Sequence, residues 1–185
     1  SDATYRATIS ENKIINANLE TTDGGGIYLI NRQQDLTGHI VEHNEVTGTT
    51  SAGGGGDQVS WGIYLDDWTS GARVEDNIVH GNVGGVFLHG GWSNTVTNNV
   101  IADNTGAQIG LQQSVAWGGW KGHTMTGNDI SENIIDVSKG TAVHIYGPGT
   151  SGSFHDNFYS HLDTSKQLFD VWPQVLASGS TGKLS

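Results

Sequence analysis

Asp66 and Asp67 stand side by side, Trp68 follows them, and His89 comes one repeat later between Leu88 and Gly90. Two close carboxylates resist ionising together, so one of them is held protonated at a pH where a free carboxyl has lost its proton. An imidazole changes charge near neutral pH and can orient or relay that proton. Asp66 and Asp67 are therefore acid/base candidates and His89 an assisting group. The competing reading is a turn pair, because aspartate is a favoured corner residue. Around these residues lie Tyr28, Tyr64, Trp68, Phe87, Trp92, Trp117 and Trp120, flat rings of the kind that stack on the apolar faces of sugars. Arg32, Gln112, His144 and Tyr146 add groups that hydrogen-bond hydroxyls. The alternative for the aromatic set is a cross-strand stacking stripe that stabilises a sheet.

What positions these residues is a repeat. Short apolar strands recur as Ile27-Tyr28-Leu29, Ile63-Tyr64-Leu65, Val86-Phe87-Leu88, Ile109-Gly110-Leu111 and Val143-His144-Ile145. A second set has the form apolar-x-x-Asn-x-apolar, around Asn12, Asn44, Asn77, Asn99, Asn128 and Asn157. Self-similarity of this kind, with longer intervals where loops are inserted, predicts an all-β parallel β-helix of about six coils. Each coil buries its apolar positions against its neighbours above and below. At the strand spacing of about 4.8 Å, equivalent asparagines bond one another as a ladder at the corner between two strands. They are read as structural and excluded from catalysis.

Alternation then decides which side chains leave the core. Ile63 and Leu65 point in, so Tyr64 and Asp66 point out. The outward columns are Tyr28, Tyr64, Phe87, Gly110, His144 and, two residues on, Ile30, Asp66, His89, Gln112, Tyr146. Asp66 is thus expected beside His89. Asp23 enters a strand that Asp66 leaves at the equivalent level, an offset of roughly 20 Å if the chain is extended, beyond the roughly 6.5–9.5 Å of an inverting carboxylate pair. Asp67 or a residue in the Trp117 loop is the preferred partner unless the chain folds back.

The chain has 185 residues, 28 of them glycine and none cysteine, which removes disulfides, thiolate metal sites and a cysteine nucleophile. Net charge is −11, from 8 Lys+Arg against 19 Asp+Glu, which disfavours nucleic acid and strongly polyanionic glycans. With no apolar run approaching ~20 residues, no membrane partner is expected. The expected partner is a neutral or mildly acidic polysaccharide or oligosaccharide, met by a secreted or cell-surface protein. The repeat occupies residues 1–162, and 163–185 read as a C-terminal cap or linker tail, with Leu168, Phe169, Trp172, Val175 and Leu176 at helical spacing. Because the repeat begins without a capping helix, further domains of a longer parent chain are expected. Gly53 to Gly56 read as a flexible loop, since no Gly-Lys-Ser/Thr ending follows. No cofactor is expected. Calcium is the lesser alternative, with Asp66, Asp67 and a corner carbonyl as partial ligands.

Gly62-Ile-Tyr-Leu-Asp-Asp-Trp68, Val86-Phe-Leu-His-Gly-Gly91 and the x-x-Asn-x-Val strands resemble the right-handed parallel β-helix proteins of the pectate-lyase-like superfamily. More narrowly they look like bacterial β-helix glycoside hydrolases of the α-L-fucosidase/xylanase type. Polygalacturonase-type members carry an Asp-Asp pair and, about one coil on, a histidine between glycines, which Asp66-Asp67 and Leu88-His89-Gly90 echo. Here the pair follows its strand, leucine precedes the histidine and no Arg-x-Lys comes after, which points away from pectin. The resemblance implies glycosidic hydrolysis, with a non-catalytic carbohydrate-binding module as the competing class. Uronate lyase or epimerase chemistry comes third, with Arg32 and Lys121 as its nearest bases.

Overall fold

In the computed structural model, residues 6–51, 60–114, 121–146, 150–161 and 168–171 are described. They contain strands and turns only. The first coil supplies β1 (Thr8–Ser10), β2 (Lys13–Ile15) and β3 (Gly24–Ile30), and the second β4 (Ile40–Glu42), β5 (Glu45–Thr47) and β6 (Ser60–Asp66). The third supplies β7 (Arg73–Glu75), β8 (Ile78–His80) and β9 (Gly84–His89), the fourth β10 (Thr95–Thr97), β11 (Val100–Ala102) and β12 (Ala107–Gln112). The fifth supplies β13 (Asp129–Ser131), β14 (Ile134–Asp136) and β15 (Thr141–Tyr146), and the last β16 (Ser153–His155), β17 (Phe158–Ser160) and β18 (Phe169–Val171). Every third strand pairs in parallel, giving three six-stranded sheets that wrap one core.

The core is built from columns of like residues. Ile63, Val86, Ile109 and Val143 stack in one, Leu65, Leu88 and Leu111 in the next, and Val41, Val74, Val96 and Ile130 in a third, all without solvent exposure. Each is a medium-sized aliphatic side chain at the strand spacing, so coil after coil packs at the same radius.

Asparagine ladders hold the corners. Asn12, Asn44, Asn77, Asn99, Asn133 and Asn157 form one continuous chain of amide–amide hydrogen bonds of 2.9–3.0 Å. Asn133 occupies the place expected for Asn128. Met125 to Ile130 and Ile130 to Ile135 both fit the apolar-x-x-Asn-x-apolar pattern, and pairing of Val96 with Ile130 selects the second. Asn128 instead continues a different corner, receiving the backbone N–H of Asn94 at 3.0 Å. The unusual backbone angle falls on the residue before each ladder asparagine: Glu11, His43, Asp76, Asn98, Glu132 and Asp156 all have φ between 54° and 58°. The asparagine side chains supply the bonds and their neighbours supply the left-handed turn.

Phe169–Val171 is a strand, paired in parallel with β15, where helical spacing was expected. The free edge of β15 offers unpaired backbone groups that an added strand satisfies and a helical turn would leave open. Leu168 and Phe169 pack against the core there, beyond the expected boundary at residue 162. Trp172, Val175 and Leu176 lie outside the described residues, as does the Gly53–Gly56 loop.

Candidate functional site

The outward face of β3, β6 and β9 carries the expected columns in the expected register. Tyr28 pairs with Tyr64, Tyr64 with Phe87, Phe87 with Gly110, and Gly110 with His144. Ile30 pairs with Asp66, and Gln112 with both His89 and Tyr146. Nδ1 of His89 lies 2.6 Å from Oδ1 of Asp66. The same oxygen accepts the backbone N–H of Asp67 at 2.7 Å, and the hydroxyl of Tyr28 donates to Oδ2. Asp67 is held separately, its Oδ2 receiving both Nε and Nη2 of Arg32 at 2.9 Å. Both acids are buried, Asp66 5% and Asp67 4% exposed.

These surroundings set the charge state. Burial opposes ionisation of Asp66, but the hydrogen bonds from His89 and Tyr28, electrostatic attraction to the His89 ring and the Asp67 N–H outweigh it and hold its pKa below the ordinary carboxylate value. These surroundings favour the anion of Asp66 over its protonated form. Burial, then a hydrogen bond to Asp66 and its charge, push the Tyr28 phenol well above its usual range. Burial and the charges of Asp66 and Asp23 do the same to Tyr64.

Asp23 belongs to this site, contrary to the extended-chain estimate. A Cβ on Gly26 would lie 2.5 Å from Cγ1 of Val46 in the interior, and the next residue, Ile27, also faces the core. Two successive inward positions break the alternation, so counting by twos from Ile27 does not give the side on which Asp23 lies. Its carboxyl feels the charges of Asp66, Asp67 and His89 and the pull of the Tyr64 hydroxyl. Although Asp23 remains open to solvent, partial burial and the neighbouring acids push its pKa up; His89 and the Tyr64 hydroxyl pull the other way.

The aromatic residues divide. Trp68, expected at the surface, is completely buried. Asp67 and Trp68 both have positive φ, 31° and 66°, and that turn reverses the side-chain direction, driving the indole inward against Gly90. Tyr64, Phe87 and Tyr146 are buried too, in a cluster with Trp61 and Ala107. Trp61 stacks on Phe87 at 4.5 Å and 11°, and Phe87 on His89 at 5.7 Å and 9°. Trp61 was not anticipated; the signal was its place in register between Gly25 and Gly84, which leave room for an indole. Tyr28 keeps an exposed ring, packed edge-on to Tyr64. Trp92 is half-buried against His123, and His144 stacks on Tyr146 at 3.8 Å. Trp117 and Trp120 lie outside the described residues; Ser114, where their segment begins, places Oγ 3.5 Å from Oδ1 of Asp67.

A family model for the right-handed β-helix region matches residues 1–161. The chain belongs to the right-handed β-helix family. No curated protein and no solved structure matches it. In this β-helix protein, Asp66, Asp67 and His89 place one ligand atom each within 4.8 Å of one another. Calcium fits them poorly. It takes six to eight oxygens, whereas one of these atoms is an imidazole nitrogen, Arg32 already neutralises Asp67, and three donors already bond Asp66.

Proposed function

We propose that this β-helix protein hydrolyses glycosidic bonds of a neutral or mildly acidic polysaccharide, outside the cell or on its surface, with the outer face of β3, β6 and β9 as its active site. The observation that carries the reading is a pair of carboxyls on one face whose surroundings drive them in opposite directions: Asp23 towards the protonated form and Asp66 towards the anion. Separated carboxyl pKa values are what an acid and a base need to coexist at one pH. Asp23, open to solvent, is the proton donor to the leaving oxygen. The Asp66–His89 unit is the proton-accepting side.

The substrate class follows from charge and shape. Three carboxyls face one guanidinium, and Asp67 holds that guanidinium. A polyuronate would meet net negative charge, and elimination would lack the neutralising cation that a uronate carboxylate requires. The exposed Tyr28 ring is the sugar platform nearest the acids. Burial of Trp68, Tyr64, Phe87 and Tyr146 removes most of the flat surface that a pure binding module would use.

Reducing-end release from a panel of neutral and uronic polysaccharides tests the reading. Wild type is expected to release sugar from a neutral polymer, and Asp23→Asn to lose about 10²–10⁴-fold of that rate while still binding. Unsaturated products, or binding with no release from any polymer, would overturn it.

A further inference from the structure

We propose that the group accepting the proton on this face is Nε2 of His89, and that Asp66 is a positioning residue that holds the ring without touching substrate. The inference rests on the hydrolase reading above and reverses the roles that adjacency alone suggested for the two residues.

Burial and hydrogen bonding together make the case. Both oxygens of Asp66 are occupied, Oδ1 by His89 Nδ1 and the Asp67 N–H and Oδ2 by Tyr28, in a residue only 5% exposed. With three of its roughly four acceptor positions filled and almost no surface exposed, it has little room to meet a water or an anomeric carbon. Asp67 is no better placed, with Arg32 on Oδ2, Ser114 beside Oδ1 and 4% exposure. His89 is different. Its side chain is 22% exposed, and its ring is held by the Asp66 bond and by parallel stacking on Phe87. An anionic carboxylate accepts and cannot donate, so the neutral imidazole carries its proton on Nδ1 and its lone pair on Nε2. Among the described residues no partner occupies that nitrogen.

The step then balances. A water O–H bond breaks and its proton moves to Nε2 of His89, while the water oxygen bonds the anomeric carbon. The glycosidic C–O bond breaks with its electron pair going to the leaving oxygen, which takes the proton of Asp23. One water is consumed, and solvent exchange returns a proton from His89 to Asp23. The imidazolium formed on the way is met by the Asp66 anion 2.6 Å from Nδ1. Attack by water in a single displacement inverts the anomeric configuration.

Two measurements decide it. In ¹⁵N NMR of the wild-type protein at pH 9, His89 should show a protonated Nδ1 and an unprotonated Nε2; a proton on Nε2 overturns the proposal without any activity being needed. ¹H NMR of the first product from the responsive polymer should show the inverted anomer. A retained anomer overturns the proposal while leaving the hydrolase reading intact, and recovery of activity by azide in Asp66→Gly with formation of a glycosyl azide would then assign the nucleophile to Asp66. Imidazole should restore activity at least 10-fold to His89→Gly and leave Asp66→Gly unchanged; failure to rescue a folded His89→Gly counts against the base. Absence of release by wild type from every polymer sinks the hydrolase reading, and the base assignment with it.

Discussion

Oδ1 of Asp66 lies 2.6 Å from Nδ1 of His89, across adjacent strands of neighbouring coils, and shares that position with the Asp67 N–H. Asp66→Asn keeps an oxygen able to accept both bonds but removes the negative charge opposite the imidazole. The expected result is a kcat lower by about 10²-fold with KM nearly unchanged, because the transition state loses stabilisation that bound substrate never used. Steady-state kinetics checks this; a rise in KM at constant kcat would place Asp66 in contact with sugar.

The pH dependence has a definite sign. Asp23 donates only when protonated and its pKa is raised, so activity should fall as pH rises through that value. Burial is the largest cause and the Asp66 charge the next. In Asp66→Asn the alkaline limb should therefore move to lower pH, and a pH–kcat/KM profile of both proteins reads the shift. For stability, a raised carboxyl penalises the fold above its folded pKa, so Asp23→Asn should unfold at slightly higher temperature at pH 7 while losing activity.

Asp66 works in the opposite sense. Its folded pKa lies below the ordinary value of 3.8, so its contribution to stability is present above that value and is lost as pH falls through the folded pKa. Tyr28→Phe removes one of the donors that keep the pKa low. The carboxyl resonance of Asp66, followed by ¹³C NMR, should titrate at higher pH in this variant.

The ladder predicts a gradient of cost along the stack. Asn77 donates to Val41 O, Glu75 O and Asn99 Oδ1, accepts from Asn44, and is buried. Asn77→Ala strands several of these groups and should destabilise by about 3 kcal/mol. Asn12, exposed in the first coil, makes comparable bonds next to water, and its alanine variant should cost about 1 kcal/mol. Urea denaturation measures both, and equal losses would show that burial is not what gives the ladder its value.

Gly110 tests the outer aromatic layer. An added Cβ would stand 2.3 Å from Cη2 of Trp61 and 2.9 Å from Cδ2 of Phe87. Gly110→Ala should therefore cost about 1–3 kcal/mol by overpacking. Thermal unfolding checks the loss.

The repeat itself was legible in the sequence. Inward aliphatic residues recur once per coil, and both outward columns hold in register from Tyr28 to His144 and from Asp66 to Tyr146. Alternation is a local rule, so wherever a strand is regular it fixes which side chains share a face. Where the backbone departs from regular, the rule fails. The left-handed Asp67-Trp68 turn buried a tryptophan expected outside, the alternation broke at Gly26-Ile27 ahead of an aspartate judged too distant, and two overlapping copies of one pattern put Asn128 in the place of Asn133. Which of two adjacent groups is free to react was beyond the sequence altogether. It depends on how many donors converge on each oxygen of Asp66 and how much of the His89 ring meets water, and those are sums over residues from three coils that only folding brings together.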